Sequence, residues 1–252
     1  MEYFDLGRTL NFGHRGASRA APANTLAAFS RAADLGADGV ELDVHLSRDG
    51  HLVVIHDFSL SATTNGDGLV RDKTLAELKE LDAGSWFDPA FAGERIPTLQ
   101  EVVDAVGHRL LLNIELKSQG GEEAGLVAAV LELIERNHLL GKVVISSFNR
   151  QAVLTVRQVD PRVPVGLLFD IDPFATLRPW PRNLARPEAL HPYHRMLSRA
   201  YVRWAKWRGY RIHTWTVDDP ARMRRLAEWG VEIVITNRPD LLAQVLAGTR
   251  RA

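Results

Sequence analysis

Short apolar stretches alternate with amphipathic ones along most of the chain. Runs such as TLNFGHRG (residues 9–16) and KVVISSF (142–148) have the length and composition of buried strands. From Asn24 to Gly36 apolar residues recur with helical spacing, and Asn24 is the expected N-cap and Gly36 the expected stop. Further helices are predicted at residues 122–137, 150–159, 198–207 and 220–229. This alternation predicts a parallel α/β fold.

The apolar runs give nine candidate strands. They cover residues 9–16, 39–46, 51–57, 109–117, 142–148, 163–169, 188–192, 210–217 and 231–237. Only SRDG separates the second run from the third, which is too short for a parallel crossover, so the third is predicted to be the return arm of a β-hairpin. Eight parallel strands remain, the number that closes a (β/α)8 TIM barrel. An open doubly wound sheet is the alternative, but no glycine-rich dinucleotide loop supports it.

Residues 58–97 interrupt the alternation of predicted strands and helices. The stretch holds the turn-rich TTNGDG, the short helical pattern TLAELKELDAG and the aromatic, loop-like SWFDPAFAGERIP. It is too long for a plain connection between a strand and a helix. We expect a small insertion on one face of the barrel, within a single barrel domain that spans residues 1–252.

The charge and composition argue against several classes of function. Lysine and arginine number 31, as do aspartate and glutamate, so no net field favours nucleic acid or an anionic membrane. The absence of cysteine excludes disulfides and thiol catalysis. No apolar run approaches the roughly 18–20 residues that span a bilayer, and the N-terminus lacks the pattern of a secretory signal. We expect a cytoplasmic protein without stable membrane insertion.

Ionisable residues gather at the predicted carboxyl ends of the strands, where barrels of this kind place their functional groups. In GVELDVHL and in NIELK the ionisable residues are spaced two apart, so their side chains share a face of the strand. The candidates at the mouth of the barrel are His14, Arg15, Glu41, Asp43, His56, Glu115 and Lys117.

Three of these candidates are carboxylates, namely Glu41, Asp43 and Glu115. Their mutual repulsion would raise at least one pKa strongly unless a cation lay between them. A hard divalent ion with oxygen ligands, Mg²⁺ or Ca²⁺, is the predicted cofactor. Zinc held by His14, His56 and one carboxylate is the alternative. It ranks lower because the carboxylates suffice for an all-oxygen site.

The two histidines, His14 and His56, would flank this ion. Imidazoles titrate near neutrality, which suits a general acid and a general base in the cleavage of a phosphodiester. Arg15 and Lys117 would make the mouth attractive to a phosphate. Each residue alone is more often structural, but all seven at strand ends indicate an active site. The sequence does not show which histidine is the acid.

The hairpin determines where His56 lies. A turn centred on Arg48 and Asp49 would pair Glu41 with His56 and return the imidazole to the level of the carboxylates. A shift of one residue in this register would turn His56 away. His45 shares the face of Glu41, and the sequence gives it no role.

Several segments resemble the glycerophosphodiester phosphodiesterase family over nearly the whole chain. They include HRGASRAAPANTLAAF, GVELDVHLSRDGHLVVIHD, TTNGDGLV, NIELK, HTWTVDD and ITNRPD, in the expected order. The resemblance implies a phosphodiesterase barrel with a divalent cation that cleaves glycerophosphodiesters to sn-glycerol 3-phosphate and an alcohol. It implies acid and base roles for His14 and His56, metal ligation by Glu41, Asp43 and Glu115, phosphate binding by Arg15 and substrate contact by Lys117.

The chain departs from the family pattern at one position. Ala23 stands where the family usually has glutamate, within Pro22-Ala23-Asn24-Thr25. The missing carboxylate is not among the expected metal ligands, so the change bears on phosphate geometry or substrate preference.

Two further features lie at the ends of late strands. Trp215, at a late strand end, is a candidate for contacting the glycerol or the leaving group, and a structural role fits equally well. Asn237 and Arg238 are expected to form the turn after the last strand, and the sequence gives no support for an anion contact there. The alternatives for function are a lysophospholipase D-like enzyme acting on lipid and a non-catalytic barrel that binds phosphate esters.

Overall fold

The computed structural model describes residue 4 and residues 7–118, 123–170 and 186–249. Within these ranges the strands are β1 (Leu10–His14), β2 (Gly39–Leu46), β3 (Leu52–Val54), β4 (Leu111–Leu116), β5 (Val143–Ser147), β6 (Val165–Phe169), β7 (Ala189–Pro192), β8 (Arg211–Thr214) and β9 (Ile233–Thr236). The helices are α1 (Leu26–Asp34), α2 (Leu75–Lys79), α3 (Leu99–Val106), α4 (Glu123–Arg136), α5 (Arg150–Val159), α6 (Arg199–Trp207), α7 (Pro220–Glu228) and α8 (Pro239–Thr249).

The strands close into a parallel barrel, as the sequence predicts. They follow the order β1, β2, β4, β5, β6, β7, β8, β9, and β9 pairs back to β1. β3 pairs antiparallel with β2, which confirms the hairpin. The carboxyl ends of the eight parallel strands therefore meet at one mouth.

Apolar side chains fill both sides of the barrel wall. Alternate residues of the strands pack inside the barrel, among them Leu10, Phe12, Val144, Ile233 and Ile235. The intervening residues face the helices and join the larger outer core. The strands are buried on both faces, which explains why most of them appear as apolar runs in the sequence. Polar residues such as Glu41, Asp43 and Glu115 are the exceptions on the inward face.

Helix α1 begins one residue later than the sequence predicts. Its N-cap is Thr25, whose hydroxyl accepts from the backbone N–H of Ala28, and not Asn24. Asn24 adopts a left-handed conformation, with φ of +61°, which asparagine tolerates better than most residues. Its side chain is thereby released from capping and reaches the barrel mouth. The stop is confirmed, because Gly36 has φ of +80° just after the helix.

Residues 58–97 stand outside the alternation of strands and helices. They contain α2, which begins with a capping box between Thr74 and Glu77, and three short 3-10 turns. A small apolar core holds the insertion against β3, and its members are Val53, Ile55, Leu60, Val70, Leu78, Ala83 and Ile96. The insertion is therefore supported by the return arm of the hairpin.

The predicted register of the hairpin is wrong by one residue. Leu46 pairs with Leu52 and Val44 with Val54, and the backbone N–H of Ser47 donates to the carbonyl of His51 at 2.9 Å. The loop therefore has three residues, 48–50, and not two. The last loop residue, Gly50, has φ of +84°, the left-handed conformation that closes a three-residue hairpin. Glu41 consequently does not face His56 across the ladder.

Among the described helices, none combines the length and the apolar character that crossing a bilayer would require.

Candidate active site

The three predicted carboxylates lie together at the barrel mouth. Parallel pairing sets Asp43 of β2 opposite Glu115 of β4, and Glu41 lies on the same face two residues earlier. One oxygen from each side chain lies within 4.8 Å of one from each of the others. All three residues are buried, with relative exposures of 4% for Glu41, 1% for Asp43 and 8% for Glu115.

Burial and mutual repulsion oppose the ionisation of this cluster. Burial, together with the charge of Asp43, raises the pKa of Glu115 to about 7 and that of Glu41 well above its ordinary value. Burial acts on Asp43 as well, but Arg15 and Lys117 outweigh it and hold the pKa of Asp43 below its ordinary value. The cluster thus has the donor set and the excess of negative charge that a hard divalent cation would relieve.

Two cations lie against the carboxylates. The Nζ atom of Lys117 is 2.9 Å from Oε1 of Glu115 and 3.6 Å from Oδ1 of Asp43. The Nε atom of Arg15 is 3.3 Å from Oδ2 of Asp43. Burial alone would lower the pKa of Lys117, but Glu115 and Asp43 raise it, so Lys117 is charged. Both side chains lie at the mouth and are partly exposed there, Arg15 to 25% and Lys117 to 10%.

The loop after β1 is held in an unusual conformation that aims Arg15 at the site. Arg15 has φ of +54°, and its backbone N–H donates to Oε2 of Glu41 at 3.0 Å. Gly16 follows with φ of +84°, and a Cβ there would lie 2.5 Å from the backbone of Ala28. The amide of Asn24 donates to Oδ2 of Asp43 at 2.9 Å. Asn24 is therefore a site residue that the sequence analysis assigned wrongly to the helix cap.

The imidazole of His14 is oriented by a residue that follows the neighbouring strand, β9. Its Nδ1 lies 2.7 Å from Oδ1 of Asn237, which also accepts from the hydroxyl of Ser18. The amide nitrogen of Asn237 donates to Asp218 at 2.6 Å, and a carboxylate can only accept, so the amide orientation is defined. Nδ1 of His14 must then carry the hydrogen. This leaves the lone pair on Nε2, which lies 4.0 Å from Glu41.

The second imidazole, His56, has a different partner. Its Nδ1 lies 2.8 Å from the carboxylate of Asp57. Burial, with Arg15 and Lys117, lowers the pKa of His56, while the charges of Asp43 and Asp57 oppose this decrease. The Nδ1 atom of His14 faces the neutral amide of Asn237 instead, and burial lowers the pKa of His14 to about 4. The two imidazoles thus stand in unlike electrostatic surroundings.

His45, to which the sequence gives no role, is buried below His56. Its Nε2 lies 3.2 Å from the carbonyl oxygen of His56. The ring of Phe58 packs edge-on against it, with the ring centres 4.9 Å apart. Burial lowers the pKa of His45 to about 4, so the ring is neutral.

Trp215 forms part of an aromatic wall on another side of the barrel. Its indole N–H donates to the carbonyl of His191 at 2.9 Å. Its ring contacts Phe148 and Tyr193, with ring centres 5.5 Å apart in both pairs. Phe148 is 45% exposed, so this wall reaches solvent.

Ala23, the departure from the family pattern, borders the site. It lines a small cavity together with Arg15, Asn24 and His56. A longer side chain at this position would enter the cavity beside Arg15. The substitution therefore leaves room next to two residues of the candidate site.

The structure brings together seven residues predicted from the sequence: His14, Arg15, Glu41, Asp43, His56, Glu115 and Lys117. Two further site residues, Asn24 and Asn237, are not among the sequence predictions, although both lie in loops that follow barrel strands. Asn237 was assigned only to a turn because its partner, His14, is 223 positions away in the chain.

The chain is similar to known proteins over nearly its whole length. A model of the glycerophosphoryl diester phosphodiesterase family matches residues 14–241. A glycerophosphodiester phosphodiesterase of Caldanaerobacter subterraneus subsp. tengcongensis is 43% identical over 95% of this chain and 98% of its own. One from Bacillus subtilis is 36% identical over 96% of this chain and 87% of its own.

Solved structures with a similar fold include phosphodiesterases. A phosphodiesterase of Oleispira antarctica, in complex with the product sn-glycerol-3-phosphate, has a TM-score of 0.85 and 31% identity, and the match covers 97% of this chain and 99% of that one. A glycerophosphodiester phosphodiesterase of Thermotoga maritima has a TM-score of 0.76 and 31% identity, with coverage of 94% and 98%.

Proposed function

Since the chain belongs to the glycerophosphodiester phosphodiesterase family, we propose that it hydrolyses glycerophosphodiesters to sn-glycerol 3-phosphate and an alcohol with the help of a divalent cation. The observation that carries the proposal is the joining of three buried carboxylates and two separately oriented imidazoles at one mouth. We further propose that residues 1–252 form one domain, with 58–97 as its insertion.

The cation ligands in this proposal are Glu41, Asp43 and Glu115. Their oxygens are close enough to share one ion, and Oδ1 of Asp43 has no hydrogen-bond partner among the residues that the structure describes. A divalent cation held there would neutralise the carboxylates and draw negative charge away from the phosphoryl oxygens. Oxygen ligands favour Mg²⁺ or Ca²⁺ over zinc, which prefers nitrogen and sulfur.

The histidines take unlike roles because their partners differ. The neutral amide of Asn237 holds a hydrogen on Nδ1 of His14. The Nε2 atom of His14 can therefore accept a proton from the nucleophile, which is a water or a substrate hydroxyl. The carboxylate of Asp57 stabilises an imidazolium at His56, so that residue can protonate the departing alkoxide. His14 is therefore proposed as the general base and His56 as the general acid.

Arg15 and Lys117 are proposed to hold the phosphate. Both cations already lie against Asp43, and a bound divalent ion would free part of their charge for the phosphoryl oxygens. Trp215 and the wall around it would contact the glycerol or the leaving group, where an aromatic surface excludes water.

The direct test is a coupled assay of sn-glycerol 3-phosphate release from glycerophosphocholine in the presence of Mg²⁺ or Ca²⁺. We expect multiple turnover by the purified chain. Turnover of lysophosphatidylcholine without turnover of glycerophosphocholine would instead support a lysophospholipase D-like enzyme. Tight binding of sn-glycerol 3-phosphate without turnover of either substrate would indicate a non-catalytic barrel.

A further prediction concerns Asn237. Replacing it by alanine removes the acceptor for His14 Nδ1, and we expect kcat to fall by about 10- to 100-fold with KM nearly unchanged, as for a lost orienting contact. The matched control is Ser18→Ala, which removes the other donor to the same amide oxygen and leaves the bond to His14. Equal kcat values for the two variants would contradict the proposed role of Asn237.

A further inference from the structure

The position of His56 is not explained by the hairpin ladder. Residues that pair across an antiparallel ladder share a face. Continuing the observed register beyond Val44 and Val54 would set His56 opposite Leu42. Leu42 belongs to the outer core between the barrel and its helices. A regular strand would therefore carry His56 away from the mouth.

The backbone ladder between β2 and β3 ends at Ile55, whose N–H donates to the carbonyl of Asp43 at 3.1 Å in the same register. One residue later, the carbonyl of His56 accepts from Nε2 of His45 at 3.2 Å. The imidazole of His56 then lines the same cavity as Arg15. A side-chain hydrogen bond thus takes over where the ladder ends.

The geometry determines which nitrogen of His45 carries the hydrogen. A carbonyl oxygen can only accept, so Nε2 must donate. The ring is itself held by the edge-on contact with Phe58 and by its place on β2 next to Asp43. His45 is 4% exposed, so water does not replace this bond easily.

We infer that His45 is a positioning residue of the enzyme, which fixes the backbone of His56 through its Nε2–H and so sets the place of the proposed general acid. The inference rests on the proposed function. All three polar residues on the buried face of β2 would then serve the site. Glu41 and Asp43 would face the cation, and His45 would hold the backbone of His56, the proposed general acid. This bond also explains why a one-residue change of register leaves His56 at the site.

The test uses two substitutions that separate packing from hydrogen bonding. His45→Phe keeps a ring against Phe58 but has no donor, and His45→Gln lacks the ring but can donate an amide hydrogen to the carbonyl. We expect His45→Phe to lower kcat for glycerophosphocholine by about 10- to 100-fold, because small misplacement of a catalytic group has effects of this size. KM should change by less than about threefold, and His45→Gln should recover most of kcat.

Each outcome bears on the inference. Parental kcat in His45→Phe, or an equal loss in both variants, would overturn it, and melting temperatures would show whether the variants fold alike. A second measurement needs no substitution: ¹⁵N NMR of the parent should find the Nε2–H tautomer of His45, and the Nδ1–H tautomer would overturn the inference. An inactive parent enzyme would instead count against the proposed function.

Discussion

Alanine at His14 is expected to lower kcat by about 10²- to 10⁴-fold, the usual contribution of a general acid or base. The loss should be similar for glycerophosphocholine and for the p-nitrophenyl ester of glycerol 3-phosphate, because both need a proton removed from the nucleophile. The control is His108→Ala, an exposed histidine on another part of the barrel, which should keep the parental kcat.

The same substitution at His56 should discriminate between these substrates. Choline leaves as an alkoxide that needs a proton, so His56→Ala should lose about 10²- to 10⁴-fold in kcat. Nitrophenolate leaves without a proton, so the loss with that ester should be at least tenfold smaller, as expected once the proton transfer is no longer needed. A reversed pattern, with His14→Ala sensitive to the leaving group, would exchange the two roles. Parental activity in either variant would contradict the mechanism.

Removal of divalent cations is expected to have the second large effect. Dialysis against EDTA should lower kcat/KM by about three orders of magnitude, since several kcal/mol of charge stabilisation would be lost. Added Mg²⁺ or Ca²⁺ should restore activity. Asp43→Asn should remain inactive at the same cation concentration, whereas Asp104→Asn, an exposed carboxylate on α3, should behave as the parent. Full activity in EDTA would contradict the proposed use of the carboxylates.

Cation binding should also stabilise the fold. Glu41 and Glu115 have raised pKa values because burial and the charge of Asp43 oppose their ionisation. An ion that binds only the folded chain adds about 2.7 kcal/mol to the free energy of unfolding at 100 times its Kd. The melting temperature of the parent should therefore rise with Mg²⁺ or Ca²⁺, and that of Asp43→Asn should rise much less.

The barrel could be predicted because each of its strands is a local signal. A strand buried on both faces is an apolar run, and the short link SRDG identifies β3 as a hairpin arm without any tertiary information. The register could not be obtained in this way. It depends on whether Gly50 takes a left-handed conformation, which changes a two-residue loop into one of three and shifts every pair by one.

The residues of the candidate site also differ in whether they could be predicted from local sequence or only from the closed barrel. The carboxylates follow from spacing within single strands, because a period of two sets Glu41 and Asp43 on one face. Asn24 and Asn237 could not be assigned, because their roles depend on contacts with Asp43 and His14 that only the closed barrel creates. His56 was placed at the site for a wrong reason: the ladder does not bring it there, and a bond from His45 holds its backbone.

We propose that one mouth binds a cation through its carboxylates and a phosphate between its histidines. A crystal structure with Mn²⁺ and sn-glycerol 3-phosphate, with anomalous data collected for manganese, tests it most directly. We predict an anomalous peak about 2.0–2.6 Å from oxygens of Glu41, Asp43 and Glu115, the range for hard cations, with the phosphate between His14 and His56. A peak coordinated by the two imidazoles, or a phosphate bound away from them, would contradict the account.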